Sequence, residues 1–414
     1  MESHVAANAI LIFRAVRWLA AFLILSFGLI TFDRESSFWS VLSLALFSLP
    51  LAVQATPWPM AKVYALWFGI FLVVQSIASP LISNEYITLP PNLRTTVDVR
   101  TDHAPGFRAG IRKITTDAKG FRVAPPVDYE KKRGTRIFAI GGSTTEDIML
   151  DDHATWTHLL QEGLRATSRD VEVINTGVSG LRARNHLATL KAIAEYEPDL
   201  VLLMVGANDW NKQIRDAFEP SRDSYRLPEL RNSLFGKTLG RLVVTPMRVR
   251  LMGGSGRDAS VVIDKPDGFN SEMPRDSLNR TRKRVFNPAE VSPEYREDIG
   301  ALVSTCREEG LHCVLLTQPS AYSEEAPQKL RRLLWMTPPF ADYTLDLVAM
   351  QRIASMYNDF LEVLAREHSL PVCDVAASMP PAIDLFYDDM HFTDDGARRV
   401  AEILQPCIEE VLGR

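Results

Sequence analysis

From residue 136 onward, short apolar runs alternate with stretches of helical spacing, and this alternation constrains the fold more than any other feature. The predicted strands are 136–142, 171–177, 199–206, 312–318 and 371–375. The predicted helices cover 155–168, 185–196, 294–309 and 345–367, and a final one starts near Asp394. Alternation of this kind predicts a parallel sheet with helices on both faces. Such sheets bind ligands at the carboxyl ends of their strands.

Charge and cysteine spacing exclude two classes of partner. The 414-residue chain has a formal charge of −5, whereas nucleic-acid binding depends on basic patches, so nucleic acid is not expected as a partner. The four cysteines lack CxxC spacing, and no metal site is predicted. In an oxidising compartment Cys306 could pair with Cys313, or Cys373 with Cys407. The alternative is that all four are small buried hydrophobic residues.

The first 84 residues are unusually apolar. Three runs carry no charge, namely Trp18–Phe32, Ser36–Ala61 and Val63–Asn84. A membrane-spanning helix needs about 20 apolar residues, which the second and third runs provide. The first run is long enough if Arg14 and Arg17 extend their charged ends to the interface. We therefore expect a bundle of about three transmembrane helices over residues 1–84, with a cleaved signal peptide as the alternative for the first run.

The few positive charges beside these runs predict the orientation of the bundle. Arg14 and Arg17 mark the N-terminal side, and Lys62 marks the loop between the second and third runs. By the positive-inside rule, the N-terminus lies inside, the chain crosses three times, and everything after about residue 84 lies outside the cytoplasm. The alternative is two crossings with the large domain in the cytoplasm.

Three regions follow from composition. Residues 1–84 form the apolar segment, residues 85–133 are predicted to be a polar connector with short strands, and residues 134–414 form the α/β domain. An insertion at about 211–288 interrupts that domain. It holds a basic amphipathic stretch, residues 230–252, followed by a Gly-, Asp- and Arg-rich run that we interpret as loop. The amphipathic stretch would lie on a membrane surface, line a cleft for an anionic substrate, or pack on its own domain.

Ser143 and His391 are candidates for nucleophile and base. Ser143 follows the first predicted strand, where a serine is usually a turn or helix N-cap residue. A nucleophile there would gain from the positive end of a helix dipole. His391 has Asp388 three residues earlier, and this carboxylate could hold one imidazole nitrogen while the other faces Ser143. Asp389 is the alternative orienting residue, although we expect it to be solvated or to cap a helix.

Two more residues are candidate donors to a negatively charged oxygen. Asn208 follows the third predicted strand, and its amide could donate to a developing oxyanion. Asparagine and aspartate after a strand also form turns. Gly180 follows the second strand and offers a backbone N–H with no side chain in the way. We expect Asp209 to fix the loop geometry rather than to touch substrate.

In chain order, the segments GGST, NTGVSG, GAND and DDMH resemble the four blocks of the SGNH (GDSL-type) hydrolase superfamily. The resemblance covers about residues 134–414 without the insertion. It implies a three-layer α/β/α, flavodoxin-like parallel sheet. Matched residue by residue, it implies a catalytic set of Ser143, Asp388 and His391, and an oxyanion hole of Ser143, Gly180 and Asn208.

Two departures from the superfamily pattern matter. Gly142 stands where the Gly-Asp-Ser pattern has an aspartate, and the long insertion after Asn208 leaves the substrate unassigned by analogy. The stretches TDAKGFR (116–122) and LTQP (316–319) resemble features of membrane-anchored bacterial members. This resemblance implies a multi-pass protein of the bacterial inner membrane with a periplasmic catalytic domain that works with envelope polysaccharide machinery.

The resemblance implies a serine esterase without cofactor or metal. Its substrate would be an O-acetyl group on a cell-surface polysaccharide, or a lipid ester. One alternative is an O-acyltransferase that moves an acetyl group onto an envelope glycan with the same residues, and another is a non-catalytic envelope scaffold. Arg182 and Arg184, just past Gly180, could engage an anionic sugar, although solvation at the surface is their expected role.

Overall fold

The chain divides into two compact units in a computed structural model. One unit comprises residues 1–84 and 226–248, and the other comprises residues 85–225 and 249–414. The structure describes residues 10–21, 52–54, 59, 62, 86–99, 106, 108–147, 149–167, 170–218, 258–263, 283–338 and 343–413. None of the helices within these ranges combines the length and the apolar character that a membrane crossing requires. Most of the three predicted spans lies outside the described residues.

The described residues of the larger unit form two sheets. Its strands are β1 (Arg94–Val99), β2 (Gly110–Thr115), β3 (Thr135–Gly141), β4 (Val171–Asn175), β5 (Leu200–Met204), β6 (Asp258–Ile263), β7 (Cys313–Leu316) and β8 (Val372–Cys373). The main sheet has the order β4-β3-β5-β7-β8, and every neighbouring pair is parallel. Strands β4, β5 and β7 are buried along their whole length, because both faces of the sheet are covered. The predicted α/β fold with a parallel sheet is confirmed.

Helices cover both faces of the main sheet. The described helices of the larger unit are α1 (Ser143–Glu146), α2 (Trp156–Ala166), α3 (Ala183–Ile193), α4 (Ala207–Phe218), α5 (Pro293–Glu308), α6 (Gln328–Arg331), α7 (Leu347–His368), α8 (Val375–Ser378) and α9 (Asp394–Gly413), with a 3₁₀ turn at Ala194–Tyr196. Helix α2 packs against α9, and α3 packs against α5. Helix α2 connects β3 to β4, and α3 connects β4 to β5 on the other side of β3. Since crossovers between parallel strands are right-handed, the two helices lie on opposite faces of the sheet.

The strand order creates a crevice between β3 and β5. The chain leaves β3 toward β4 on one side and then returns to place β5 on the other side. In open α/β sheets, ligands bind outside the carboxyl ends of the strands at such a switch point. Ser143 opens α1 directly after β3, and Asn208 lies at the start of α4 directly after β5. Both predicted site residues therefore border the crevice.

The second sheet has three strands in the order β2-β1-β6. Strands β1 and β2 are antiparallel, and β6 joins β1 in parallel. Because β6 lies in the insertion, the interpretation of the Gly-, Asp- and Arg-rich region as loop is wrong for residues 258–263. The backbone of residues 258–263 pairs with β1, which lies more than 150 positions earlier in the chain. The amphipathic stretch 230–252 lies outside the described residues.

All four cysteines are paired. Cys306 bonds to Cys313 and joins the end of α5 to β7. Cys373 bonds to Cys407 and joins β8 to α9. Both pairings considered from the sequence therefore form, and the alternative of four unpaired buried cysteines is wrong.

Candidate active site

The structure brings Ser143, His391 and Asp388 into one hydrogen-bonded chain. The Ser143 Oγ lies 2.7 Å from the His391 Nε2. The Nδ1 of the same ring lies 2.9 Å and 2.8 Å from the two Asp388 carboxylate oxygens. An imidazole held in this way can accept the hydroxyl proton at one nitrogen while the carboxylate orients the other.

The loop around Asp388 fixes its carboxylate. One oxygen accepts the backbone N–H groups of Met390 at 3.0 Å and His391 at 2.8 Å. The Asp388 side chain is 4% exposed and that of His391 is 24% exposed, while Ser143 is half-buried. The hydroxyl and the ring are thus partly accessible to a substrate, whereas the carboxylate is not.

The surrounding carboxylates favour the protonated imidazole. Burial lowers the pKa of His391, but the charge of Asp388 and the hydrogen bond that the His391 ring donates to Asp388 act in the opposite direction. The charges of Asp389 and Asp147 add to this effect, and the net result raises the pKa of His391 to about 9. Because of this raised pKa, the resting ring is protonated at neutral pH. His391 must lose this proton before it can act as a base.

Asp389 is neither solvated nor a helix cap, and that expectation is wrong. It is buried, and its carboxylate accepts the Tyr322 hydroxyl at 2.7 Å. Its backbone carbonyl accepts the Ala321 N–H at 2.7 Å. Asp388 and Asp389 thus bind different partners, His391 and Tyr322. Asp389 therefore anchors the loop to the segment after β7.

The Asn208 amide lies beside the backbone that leads into Ser143. Its Nδ2 donates to the Leu181 carbonyl at 2.9 Å. A Cβ atom at Gly142 would lie 2.9 Å from the same nitrogen, closer than real Cβ atoms approach. An amide nitrogen carries two hydrogens, so the bond to Leu181 orients the group while a second hydrogen can serve another acceptor. Gly142, where the superfamily pattern has aspartate, makes this close approach possible.

Glu146 holds the loop that carries Gly180, a contact the sequence does not reveal. One Glu146 oxygen accepts both the backbone N–H and the hydroxyl of Ser179, each at 2.5 Å. Burial raises the pKa of Glu146, while the two bonds from Ser179 oppose that rise. Gly180 is exposed and has a φ of +81°, which glycine adopts at no steric cost. The loop after β4 is thus tied to the helix that begins at Ser143.

Asp209 joins two loops of the candidate site. It is buried, and its two oxygens lie 3.3 Å and 3.2 Å from the backbone nitrogen of Ala183 at the start of α3. Burial raises the pKa of Asp209 to about 7. The carboxyl group therefore links the segment after β5 to the segment after β4.

The expectation of surface solvation is wrong for Arg182, whereas the Arg184 side chain is 37% exposed and agrees with it. Arg182 lies 2.9 Å from the Glu294 carboxylate, and its side chain is only 16% exposed. Arg184 and Lys212 lie 3.6 Å and 3.3 Å from the same carboxylate. A cluster of ion pairs thus joins α3, α4 and α5. Among the described residues, no group of three or more His, Cys, Asp or Glu side chains is arranged to hold a metal ion.

The sequence matches a protein family and is similar to a curated relative. The model of the GDSL-like Lipase/Acylhydrolase family matches residues 139–399, which is more than half of the chain. An arylesterase from Vibrio mimicus is 35% identical over 75 residues, which cover 18% of this chain and 38% of the relative. The chain thus spans less than half of the length of the curated relative that it matches.

Two solved structures are similar to part of this chain. An α/β hydrolase from the metagenome of Lake Arreo, Spain, is 17% identical with a TM-score of 0.38, over 68% of this chain and 98% of that one. An acetylxylan esterase from Geobacillus stearothermophilus is 17% identical with a TM-score of 0.37, over 67% and 96%. These scores add no weight to the assignment. On the family match, this chain belongs to the GDSL-like lipase/acylhydrolase family of ester-hydrolysing enzymes, within the SGNH superfamily.

Proposed function

We propose that this chain is a serine esterase that cleaves acyl esters through Ser143. The observation that carries the proposal is the distance of 2.7 Å between the Ser143 Oγ and the His391 Nε2, with the opposite ring nitrogen on Asp388. A hydroxyl at this distance from a base can give up its proton as it attacks. Family membership supports the same class of chemistry.

In the first half-reaction, neutral His391 accepts the Ser143 proton while the Ser143 oxygen bonds to the ester carbonyl carbon. The carbonyl oxygen becomes negatively charged, and the imidazolium is stabilised by Asp388. Collapse of the tetrahedral intermediate breaks the bond to the alcohol, which takes the proton from His391. The acyl group remains on Ser143.

In the second half-reaction, water replaces the alcohol. His391 accepts a proton from the water as the water attacks the acyl-serine carbonyl carbon. The bond to the Ser143 oxygen then breaks, and that oxygen regains a proton from His391. The acid is released, and no metal or organic cofactor takes part in these steps.

We assign the oxyanion hole to the Ser143 and Gly180 N–H groups and the Asn208 amide. The bond from Asn208 to Leu181, at 2.9 Å, supports this assignment because it fixes the amide beside Gly142 and Ser143. The contacts between Glu146 and Ser179 support it for Gly180. Donors that are oriented before the reaction stabilise the intermediate without reorganisation.

As substrate we propose an O-acetyl group on a cell-surface polysaccharide, or a lipid ester. Hydrolysis and transfer of the acyl group to a glycan share their first half-reaction. A radiolabelled acetyl ester, incubated with protein and a soluble glycan, separates the two outcomes. We expect the label as free acetate. Label on the glycan would instead show an O-acyltransferase.

We also propose that the domain works outside the cytoplasm, anchored by the apolar N-terminal runs. The two disulfides support this location, because disulfides persist in oxidising compartments. Intact spheroplasts treated with protease would lose the domain if it faces outward. Survival of the domain until the membrane is lysed would place it in the cytoplasm.

Labelling with a fluorophosphonate, followed by peptide mass spectrometry, tests the esterase proposal. We expect an adduct on Ser143 that is lost in Ser143→Ala and in His391→Ala, and a fall in kcat of about 10⁶-fold for Ser143→Ala. Ser304→Ala, in α5, is the matched control and keeps the adduct. A folded wild-type protein that takes no label would contradict the proposal and favour a scaffold.

A further inference from the structure

A segment outside the family match packs against the loop that carries His391. The match begins at residue 139, whereas the segment 106–122 precedes it. A Cβ atom at Gly106 would lie 1.7 Å from the Asp384 carbonyl oxygen and 2.6 Å from the Thr393 Oγ1. A glycine is required for so close an approach. The segment therefore lies directly on the chain around His391.

Arg112 on β2 extends this contact to the nucleophile side of the site. It is buried, with 4% exposure. Its Nη1 donates to the Met149 carbonyl at 2.9 Å. Its Nη2 lies 2.7 Å from the Asp394 carboxylate and also donates to the Arg108 carbonyl. The two ends of one planar guanidinium group thus bind two different segments of the chain.

These two segments carry the proposed nucleophile and base. Met149 lies three residues after the end of α1, which begins at Ser143. Asp394 is the first residue of α9, three residues after His391. The ion pair of Arg112 with Asp394 is buried on both sides, so water screens it little. Arg112 is therefore a rigid bridge between the segments that carry Ser143 and His391.

A second buried arginine fixes the nucleophile segment internally. The Arg122 guanidinium donates to the carbonyls of Glu146, Asp147 and Leu150, and it pairs with Asp152 at 2.9 Å. This segment is thus held as one piece. Any movement permitted by loss of the Arg112 contact displaces the piece relative to the His391 loop.

We propose that Arg112 is a positioning residue that sets the spacing between the Ser143 Oγ and the His391 Nε2. This inference rests on the proposed function of those two residues. Proton transfer requires a heavy-atom distance of roughly 2.6–3.2 Å. A displacement of about 1 Å, caused away from the reacting atoms, costs about 10²-fold in rate.

Arg136 provides a matched control for the test. It is also buried, with 1% exposure, and it pairs with Glu172 at 3.1 Å. It lies at the start of β3, at the end of the sheet remote from Ser143. Arg112→Gln and Arg136→Gln each remove one buried guanidinium group, so both lower the thermal stability of the domain.

The two variants differ in their expected kinetics. With p-nitrophenyl acetate, at a temperature where circular dichroism shows full folding, Arg112→Gln lowers kcat by about 10–100-fold and leaves KM within about twofold. Arg136→Gln keeps kcat within about twofold. Equal kcat values for the two variants would overturn the proposal, because a purely structural role predicts equal behaviour.

A conservative variant and an added ion provide a second test. Arg112→Lys keeps the positive charge near Asp394 but replaces the two-ended guanidinium with a single nitrogen, so we expect a reduced kcat with stability nearer to wild type. In Arg112→Ala, added guanidinium ion raises kcat, and the same ion leaves Arg136→Ala unchanged. A wild-type kcat in Arg112→Lys would contradict the proposal.

Fluorophosphonate labelling separates failure of this inference from failure of the proposed function. If wild-type protein takes no label on Ser143, the esterase proposal fails. If the wild type is labelled and Arg112→Gln is labelled at the same rate, the esterase proposal stands and the role of Arg112 is excluded. Slower labelling of Arg112→Gln supports both.

Discussion

The two ends of the parallel sheet bury charged groups in different ways. At the amino end, Arg136 pairs with Glu172 at 3.1 Å and donates to the carbonyls of Asp128 and Tyr196 at 2.8 Å and 3.0 Å. At the carboxyl end, burial raises the pKa values of several carboxyl groups, among them Asp147 to about 8 and Asp209 to about 7. At the amino end the buried charge has an opposite partner, whereas at the carboxyl end Asp147 and Asp209 keep raised pKa values beside the buried ion pairs of Arg112 and Arg122.

The charged groups at the amino end of the sheet affect the stability of the fold, and those at the carboxyl end affect the proposed reaction. A buried arginine with a carboxylate and carbonyl partners is satisfied in one arrangement and has little tendency to change its charge. At the carboxyl end, the charge of Asp147 raises the pKa of His391, and the charge of His391 lowers the pKa of Asp147. The candidate site lies at the carboxyl end because the loops that follow parallel strands meet there.

Asp388→Asn tests the carboxyl end most strongly. The amide keeps the shape of the side chain but cannot stabilise the imidazolium, and it favours the wrong ring tautomer. We expect kcat for p-nitrophenyl acetate to fall by about 10⁴-fold. Circular dichroism should show an unchanged fold. A loss of less than tenfold would mean that Asp388 does not orient His391.

The pH dependence of this variant sharpens the same test. His391 must be neutral to accept a proton, so the wild-type kcat/KM rises from pH 7 and levels off above the His391 pKa of about 9. The Asp388 charge is the main cause that opposes the lowering of the His391 pKa by burial. Without this charge the pKa of His391 falls, so the rise in kcat/KM moves to lower pH. An unchanged profile would contradict the assignment of this titration to His391.

At the amino end, we expect Arg136→Gln to lower stability and to leave kcat nearly unchanged. It leaves the Glu172 carboxylate buried without its ion-pair partner, which typically costs about 3–5 kcal/mol of unfolding free energy. Urea unfolding measures this loss, and kcat, measured where the variant is folded, stays near the wild-type value. A kcat loss comparable to that of Asp388→Asn would refute the separation of the two ends.

Asn208→Ala tests the proposed oxyanion hole. Loss of one such donor lowers kcat by about 10²–10³-fold, while KM changes little because the donor acts mainly on the intermediate. Steady-state kinetics on a chromogenic ester give both constants. Asn287→Ala, which removes an exposed amide, is the matched control. A rise in KM alone would assign Asn208 to substrate binding.

Asp147→Asn produces the smallest change, a gain in stability at high pH. Because the pKa of Asp147 is about 8 in the fold and near 3.8 otherwise, the folded protein binds this proton more tightly. The stability that this group contributes is therefore present at low pH and lost as the pH rises through about 8. Asparagine mimics the protonated form, still accepts the Trp156 N–H, and tolerates a φ of +53°.

Thermal unfolding at pH 5 and pH 8.5 measures this gain. We expect the Tm of Asp147→Asn to exceed that of the wild type at pH 8.5 by about 2–4 °C, with a smaller difference at pH 5. Asp359→Asn, on the exposed side of α7, changes charge in the same way without burial. An equal Tm difference at both pH values would contradict the raised pKa of Asp147.

Local sequence patterns predicted much of the fold. The apolar runs of β3, β4 and β5 and the start of α9 at Asp394 follow from periodicity and capping, which depend on neighbouring residues. The four short motifs predicted residues that the structure brings to one end of the sheet, because parallel strands deliver their following loops to the same edge. The roles of those residues remain predictions.

Contacts between distant parts of the chain could not be predicted in this way. Arg112 and Asp394 are separated by 282 positions, and nothing in β2 marks Arg112 as buried. Glu146 reads as an ordinary residue in a helical turn, and only the fold shows that it binds Ser179. Asp388 binds His391, whereas its neighbour Asp389 binds Tyr322. The composition of the loop does not predict this difference.

The shortness of β8 has a consequence for the behaviour of the chain in concentrated solution. This edge strand contains only Val372 and Cys373, and Cys373 is bonded to α9. An exposed edge recruits other chains through its row of free backbone donors and acceptors, and two residues offer few of them. On this side, the sheet is a poor template for aggregation by strand addition.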